Sequence, residues 1–405
     1  MEVKKIIYAL SICGLLTACG SDSSNDNPTV TPPTSNTKIG VLTDGPVSGV
    51  SYSINGITKQ TNAQGEFEYL EGDTVRFSLG QVLLGEVIAS ERITPLELAD
   101  NEQSRLNLLI FLQSLDQNND HSDGIQISET VINTLNNTQV DFSSSTTDFS
   151  SALQNTLNQI PGFEQRTVVD SDQAQDNFKQ AFFKDIAGTW TFSRTEIDDQ
   201  SEIVLNIQEN GHYMMGESIP NESDNEGNGI EVGVLDWNPL TGELSATSSI
   251  DTNSDWGLTD PNSSQNLIFN ISYDGQNLKI SEKENPDEFA FFSRITSTPN
   301  QLQGAWKNTS GSQIFVFFPN NTYYLLDPIG DLSEEDHESC GGPGIEYGTY
   351  ELINNGFKVK SIIIDTNGCA GISDFLNINL PVSLQSNTVT FTIPNEEPFS
   401  LNRIQ

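Results

Sequence analysis

The residues best placed to do chemistry are carboxylates, and they come in two matched sets. Glu231 sits in Gly229-Ile230-Glu231-Val232-Gly233, and Glu346 in Gly344-Ile345-Glu346-Tyr347-Gly348. Each is followed by an Asp-Thr-Asn triplet, which begins at Asp251 in one case and Asp365 in the other. Paired carboxylates suit general acid/base work or a bound cation. In such short motifs, however, Asp more often caps turns and Gly permits tight bends, and that is the reading preferred here. A third acidic group, Asp116, Asn118, Asp120, Asp123 and Glu129, sets oxygen side chains at near-alternate positions, as a loop holding Ca²⁺ would need. There are only three histidines, His121, His212 and His337. Gly-x-Ser-x-Gly, His-Glu-x-x-His and a glycine-rich phosphate loop are all missing from the sequence. The expectation is a non-enzymatic binding protein. The alternative is a hydrolase using the Glu231/Asp251 and Glu346/Asp365 pairs.

The elements that carry the two carboxylate sets are copies of one another. One copy opens at Gly188-Thr189-Trp190 and the other at Gly304-Ala305-Trp306. Both pass through an Asn turn into aromatic text, Asn210-Gly211-His212-Tyr213 and Asn320-Asn321-Thr322-Tyr323. They close on Phe292-Ser293-Arg294-Ile295 and on Phe399-Ser400-Leu401-Asn402-Arg403-Ile404. Trp190 to Glu231 is 41 residues and Trp306 to Glu346 is 40. Short strands joined by turns such as Asp274-Gly275 predict an up-and-down antiparallel barrel for each copy, over 186–297 and 298–405. Gly-x-Trp with an arginine in the last strand resembles the lipocalin and avidin superfamily. That resemblance implies structural pairs, Trp190 with Arg294 and Trp306 with Arg403, stacked at one barrel end. The copies are short for that family, which implies a small or filled cavity.

Two further segments precede the barrels. Residues 38–97 alternate β-branched or aromatic runs with Gly, Asn and Asp turns, including the hairpin signal Asn55-Gly56. Gly45-Pro46-Val47-Ser48-Gly49-Val50 with Thr61-Asn62-Ala63-Gln64-Gly65-Glu66-Phe67 resembles carboxypeptidase-regulatory-like and Cna-B-like β-sandwiches, although Asn62 stands where those show Asp. The resemblance implies a structural stalk. Residues 98–185 switch to helical spacing, with helices expected over 105–115, 128–135, 149–160 and 173–183. The acidic loop between the first two resembles a lengthened EF-hand loop. His121 occupies the position where that loop wants Gly, Gly124 comes late and Glu129 falls at fourteen rather than twelve.

The whole is therefore expected to be mainly β and multidomain: a small β-sandwich, a helical module and two tandem antiparallel lipocalin-like β-barrels. Lys4 and Lys5 precede a short apolar run ending Leu16-Thr17-Ala18-Cys19. This resembles the lipobox of bacterial lipoproteins. The resemblance implies a signal peptide over 1–18 and a diacylglycerol-modified, further acylated Cys19. Gly20 in place of Asp implies sorting to the outer membrane. Residues 19–37 are the lipid anchor and a polar, proline-containing tether.

The chain has 405 residues, 18 basic and 56 acidic, for a net charge of −38. Loss of residues 1–18 removes Lys4, Lys5 and Glu2, so the remainder stands near −39. A field of that sign repels nucleic acid and excludes it as a partner. Cys13 leaves with the signal and Cys19 is lipidated, so Cys340 and Cys369 remain to form a disulfide in an oxidising compartment. The expected partners are the membrane, through the lipid, and an unidentified ligand, glycan or protein. Surface binding or adhesion is the leading expectation, with an inhibitor or accessory role in the periplasm as a further alternative.

Overall fold

The computed structural model describes residues 37–193, 201–219, 227–254, 256–263, 267–330, 341–353, 356–368, 371–394 and 397–404. The chain divides into two compact units between Phe178 and Lys179.

In the first unit, Lys38–Leu42 pairs antiparallel with Glu66–Tyr69 and parallel with Arg92–Ile93. A second sheet runs in the order Ile57–Gln60, Ser51–Ile54, Thr74–Leu79, Val82–Ile88. Thr74–Leu79 (TVRFSL) buries every second residue, the signature of a strand with one wet face. The Phe67 ring lies between the sheets, 5.8 Å from Tyr52 and 5.2 Å from Phe77, so a small sandwich forms. Asn55 and Gly56 take positive φ values of 51° and 80°, as a two-residue hairpin of this type requires. Asn62 performs the turn role of the expected Asp, its Oδ1 accepting from the Gln64 and Glu66 amides.

The helices are Glu102–Ser114, Glu129–Leu135, Thr146–Leu157 and Ser171–Ile186, preceded by the short turn Pro95–Leu98. The first of them buries Leu108, Leu109, Ile110, Phe111 and Leu112 alike, so it is a core helix enclosed on all sides. Val47–Ser48 pairs in parallel with Ile125–Gln126, and the Gln113 amide donates to Asp44 and to the Ala174 carbonyl. Residues 38–97 and 98–178 therefore share one core. The boundary expected at 97 separates no bodies, because strand pairing and a buried polar link cross it.

In the second unit, two closed barrels of eight antiparallel strands follow in chain order. The first runs from Gly188–Ser193 to Phe289–Arg294, the second from Gly304–Asn308 to Phe399–Arg403. Each strand pairs with the next, and the last closes on the first through Trp190 opposite Arg294 and Trp306 opposite Arg403. Ile314–Phe317 is buried at all four residues. Phe315 and Phe317 fill the second barrel, while Ile314 and Val316 pack outward with Val204, Met214 and Ile230 of the first. Gly216 permits that approach: a Cβ there would lie 2.8 Å from a Tyr324 ring carbon and 2.9 Å from Ile345 Cγ2.

The closure uses the same stack and the same carbonyl positions twice. Arg294 lies 4.1 Å over the Trp190 ring and Arg403 lies 4.0 Å over Trp306. The Trp190 indole donates to the Ile186 carbonyl, while Arg294 donates to those of Ala187 and Asp185. In the second barrel Trp306 donates to Leu302, and Arg403 to Gln303 and Gln301. Counted from each tryptophan, the same three carbonyls are used in both barrels. In the first they end the helix Ser171–Ile186, where free carbonyls favour a cation.

Candidate functional site

Glu231 and Glu346 point into their barrels and are fully buried. The alternation of their strands explains the direction: Ile230 and Ile345 face the other barrel, so the next residue faces inward. The Tyr213 hydroxyl donates to Glu231 Oε1 and the Tyr323 hydroxyl to Glu346 Oε1. The opposite oxygen of Glu231 accepts from the amides of Leu258 (2.9 Å) and Thr259 (3.3 Å). That of Glu346 accepts from the Ile372 amide at 2.9 Å. Each glutamate thus ties a strand of the wall to the segment that follows Asp-Thr-Asn. Burial outweighs these donors and pushes both carboxyls up to about 7. Burial also raises both tyrosines far above their ordinary value. Gly257 (φ +98°) and Gly371 (φ +108°) lie directly against the glutamate oxygens, where any Cβ would collide with Oε2.

The other motif residues also have structural roles. Asp251 and Asp365 are cross-strand neighbours of Glu231 and Glu346. Asp251 accepts from the Thr259 hydroxyl at 2.9 Å, and Asp365 from the Gly368 amide at 3.0 Å. Thr252 and Thr366 accept from the Ile230 and Ile345 amides. Buried Asn253 donates to Glu217 at 3.2 Å, and buried Asn367 to Asp327 at 3.4 Å. Gly233 and Gly348 sit at a register shift repeated in both barrels, tight against the carbonyls of Thr247 and Ser361. Tyr213/Tyr323 were read from the sequence only as markers of the repeat, and Glu217/Asp327 and Gly257/Gly371 were not singled out from it. All three pairs fall at matching offsets in the repeat, four residues from tyrosine to acid and six from Asp to Gly.

No protein-family model, no curated protein and no solved structure matches the chain. The interiors therefore have to be read from their own geometry, and there the barrels part. Among the described residues the first shows a void of about 20 Å³ beside Ile203, Met215, Glu217, Leu258 and Phe292, room for about one water. The second has an open cavity of about 290 Å³. Phe315, Phe375, Phe399 and Ile372 form its apolar walls, and Asn308, Gln313 and Asp327 supply its polar groups. Asn308 donates to Gln313 at 3.1 Å. Asp327 is 1% exposed, and its Oδ1 accepts from the Ile329 and Gly330 amides at 3.0 Å.

The acidic loop is held by bonds from its own amides and by Arg166, which donates to the Asp116 and Gln117 carbonyls. Asp116 is fully buried and accepts from the Asp120 and Gln126 amides. Asn118 accepts from the Asp120 amide and donates to Asp123. Asp120 accepts from Ser122, and Glu129 opens the helix capped by Ser128. Among the described residues, no group of three or more His, Cys, Asp or Glu side chains is arranged to hold a metal ion. Cys19, Cys340 and Cys369 lie outside the described residues.

Proposed function

We propose that this chain is a non-enzymatic lipoprotein of the bacterial outer membrane, anchored through Cys19, in which the second barrel receives a small ligand. The tandem closed barrels are a binding-type architecture, and an eight-stranded barrel has an interior of the right width for side chains or one small molecule. The observation that carries the reading is the cavity of about 290 Å³, in which Asn308, Gln313 and Asp327 stand beside aromatic and aliphatic side chains. The hydrolase alternative is weakened because Glu231 and Glu346 are enclosed, each with both oxygens taken by a tyrosine and by turn amides.

The test is titration of small amphiphiles into the full chain, with Asn308→Phe as a blocked-mouth control. Binding lost in that variant supports the reading. An ester or glycoside hydrolysis that disappears in Glu231→Gln and Glu346→Gln overturns it. The anchor is tested by the mass of the N-terminal peptide and by release of Cys19→Ser from membranes. A Cys340–Cys369 disulfide belongs to the same proposal. Its support is that the adjoining Gly341 and Gly368 meet, a Cβ on Gly341 falling 2.8 Å from the Gly368 Cα. Peptide mapping without reductant tests it, and two free thiols would remove it.

A further inference from the structure

We infer that the mouth of the second barrel takes a small organic ammonium ion, an apolar or aromatic body carrying one cationic nitrogen. The inference rests on the reading of that barrel as a binding domain and names the chemistry of its ligand.

Asp327 carries the argument. Its carboxylate is 1% exposed, lines the cavity, and among the described residues forms no ion pair with Lys, Arg or His. Its described donors are neutral. The Ile329 and Gly330 amides take Oδ1, and Oδ2 has only the long 3.4 Å bond from Asn367. A carboxylate oxygen accepts about two hydrogen bonds, so Oδ2 keeps room for another donor. A desolvated anion gains most from a cation that also donates, because a charge-assisted hydrogen bond is roughly twice as strong as a neutral one.

The walls fit the rest of such a ligand. Phe315, Phe375 and Phe399 bring aromatic rings, a group that attracts a cationic nitrogen, and Leu325, Ile372 and Ile393 bring apolar side chains. No Lys or Arg lines the cavity among the described residues, so a carboxylate or phosphate ligand would find no counter-charge there. The net charge of −38 acts in the same direction, drawing cations toward the protein and repelling anions. The first barrel carries an acid at the matching position, Glu217, and among the described residues the void beside it is about 20 Å³.

The experiment is calorimetric titration of the full chain with 2-phenylethylammonium, 2-phenylethanol and phenylacetate, three probes alike in body and different in charge. The ammonium is expected to bind about tenfold or more tightly than the alcohol, weakening as salt is raised, and phenylacetate to give no signal. Asp327→Asn should erase the preference, and Asn308→Phe should abolish binding. If Asp327→Asn does not fold, the three-probe comparison on the unaltered chain decides alone. Equal affinity for ammonium and alcohol, or a preference for phenylacetate, overturns the cation inference and leaves the binding reading standing. No binding of any of the three overturns both.

Discussion

At the rim of the first barrel stand Phe192, Ile203 and Glu217. The corresponding residues of the second, aligned by the Trp–Arg closure and the strand register, are Asn308, Gln313 and Asp327. Bulk alone does not separate the two interiors, since the second has Phe315 and Phe399 where the first has Leu205 and Ala290. The three rim positions differ in polarity, since the second has Asn308 and Gln313 where the first has Phe192 and Ile203. What both barrels keep is the frame: tryptophan under arginine, buried glutamate against tyrosine, and glycine against the glutamate. The comparison separates residues that close and brace a barrel from residues that decide whether it has room for a guest.

If the frame is shared, its loss should cost both barrels alike. Trp190→Ala and Trp306→Ala should each destabilise by about 3–5 kcal/mol in urea unfolding, the cost of emptying a buried indole site. A barrel that tolerates the change would break the equivalence. Gly216→Val drives methyl groups into Tyr324 and Ile345 of the other barrel and should cost about 1–3 kcal/mol. It should also separate the unfolding transitions of the two barrels, followed by their tryptophans. Tyr213→Phe and Tyr323→Phe each leave a buried glutamate without one donor, at about 1–2 kcal/mol, and the two losses should match.

The finest comparison is in pH. Burial raises the folded-state pKa of Glu231 and Glu346 from 4.5 to about 7. The folded state therefore binds these protons more tightly than the unfolded chain. Their contribution to stability is full below about pH 4.5, is lost as pH rises through about 7, and stays constant above. Glu231→Gln and Glu346→Gln should each remove part of that slope in melts taken between pH 4 and 8. A slope that survives both substitutions would assign the effect to other groups.

Much of this was legible in the order of residues. The repeat located both barrels, and the terminal arginines marked the closing strands. The helix signals hold within a few residues: Ser128 caps its helix, and 105–115 lies within or next to Glu102–Ser114. That Glu231 could face Asp251, and Glu346 Asp365, was expected on the condition that Cys340 and Cys369 bridge the two motifs; in the structure both pairs are a strand register. The sequence favoured structural roles over acid/base work for these residues, and what it could not supply was their enclosure. Whether a carboxylate is enclosed or open depends on residues far along the chain, here Tyr213 with Leu258 and Tyr323 with Ile372. The unity of 38–97 with 98–178 was equally illegible, since it rests on the pairing of Val47 with Ile125 and the contact of Asp44 with Gln113.

The sequence by itself determined the period-two strands, their turns and the doubling of one barrel plan, because these depend on near neighbours and on repetition. Only the tertiary structure decided that the two glutamates are braces, which face of each strand meets the other barrel, and where the cavity of the second barrel opens. Those outcomes depend on burial from two sides at once. Ile314 and Phe315 are both apolar in the text, yet one seals the contact between barrels and the other walls the cavity.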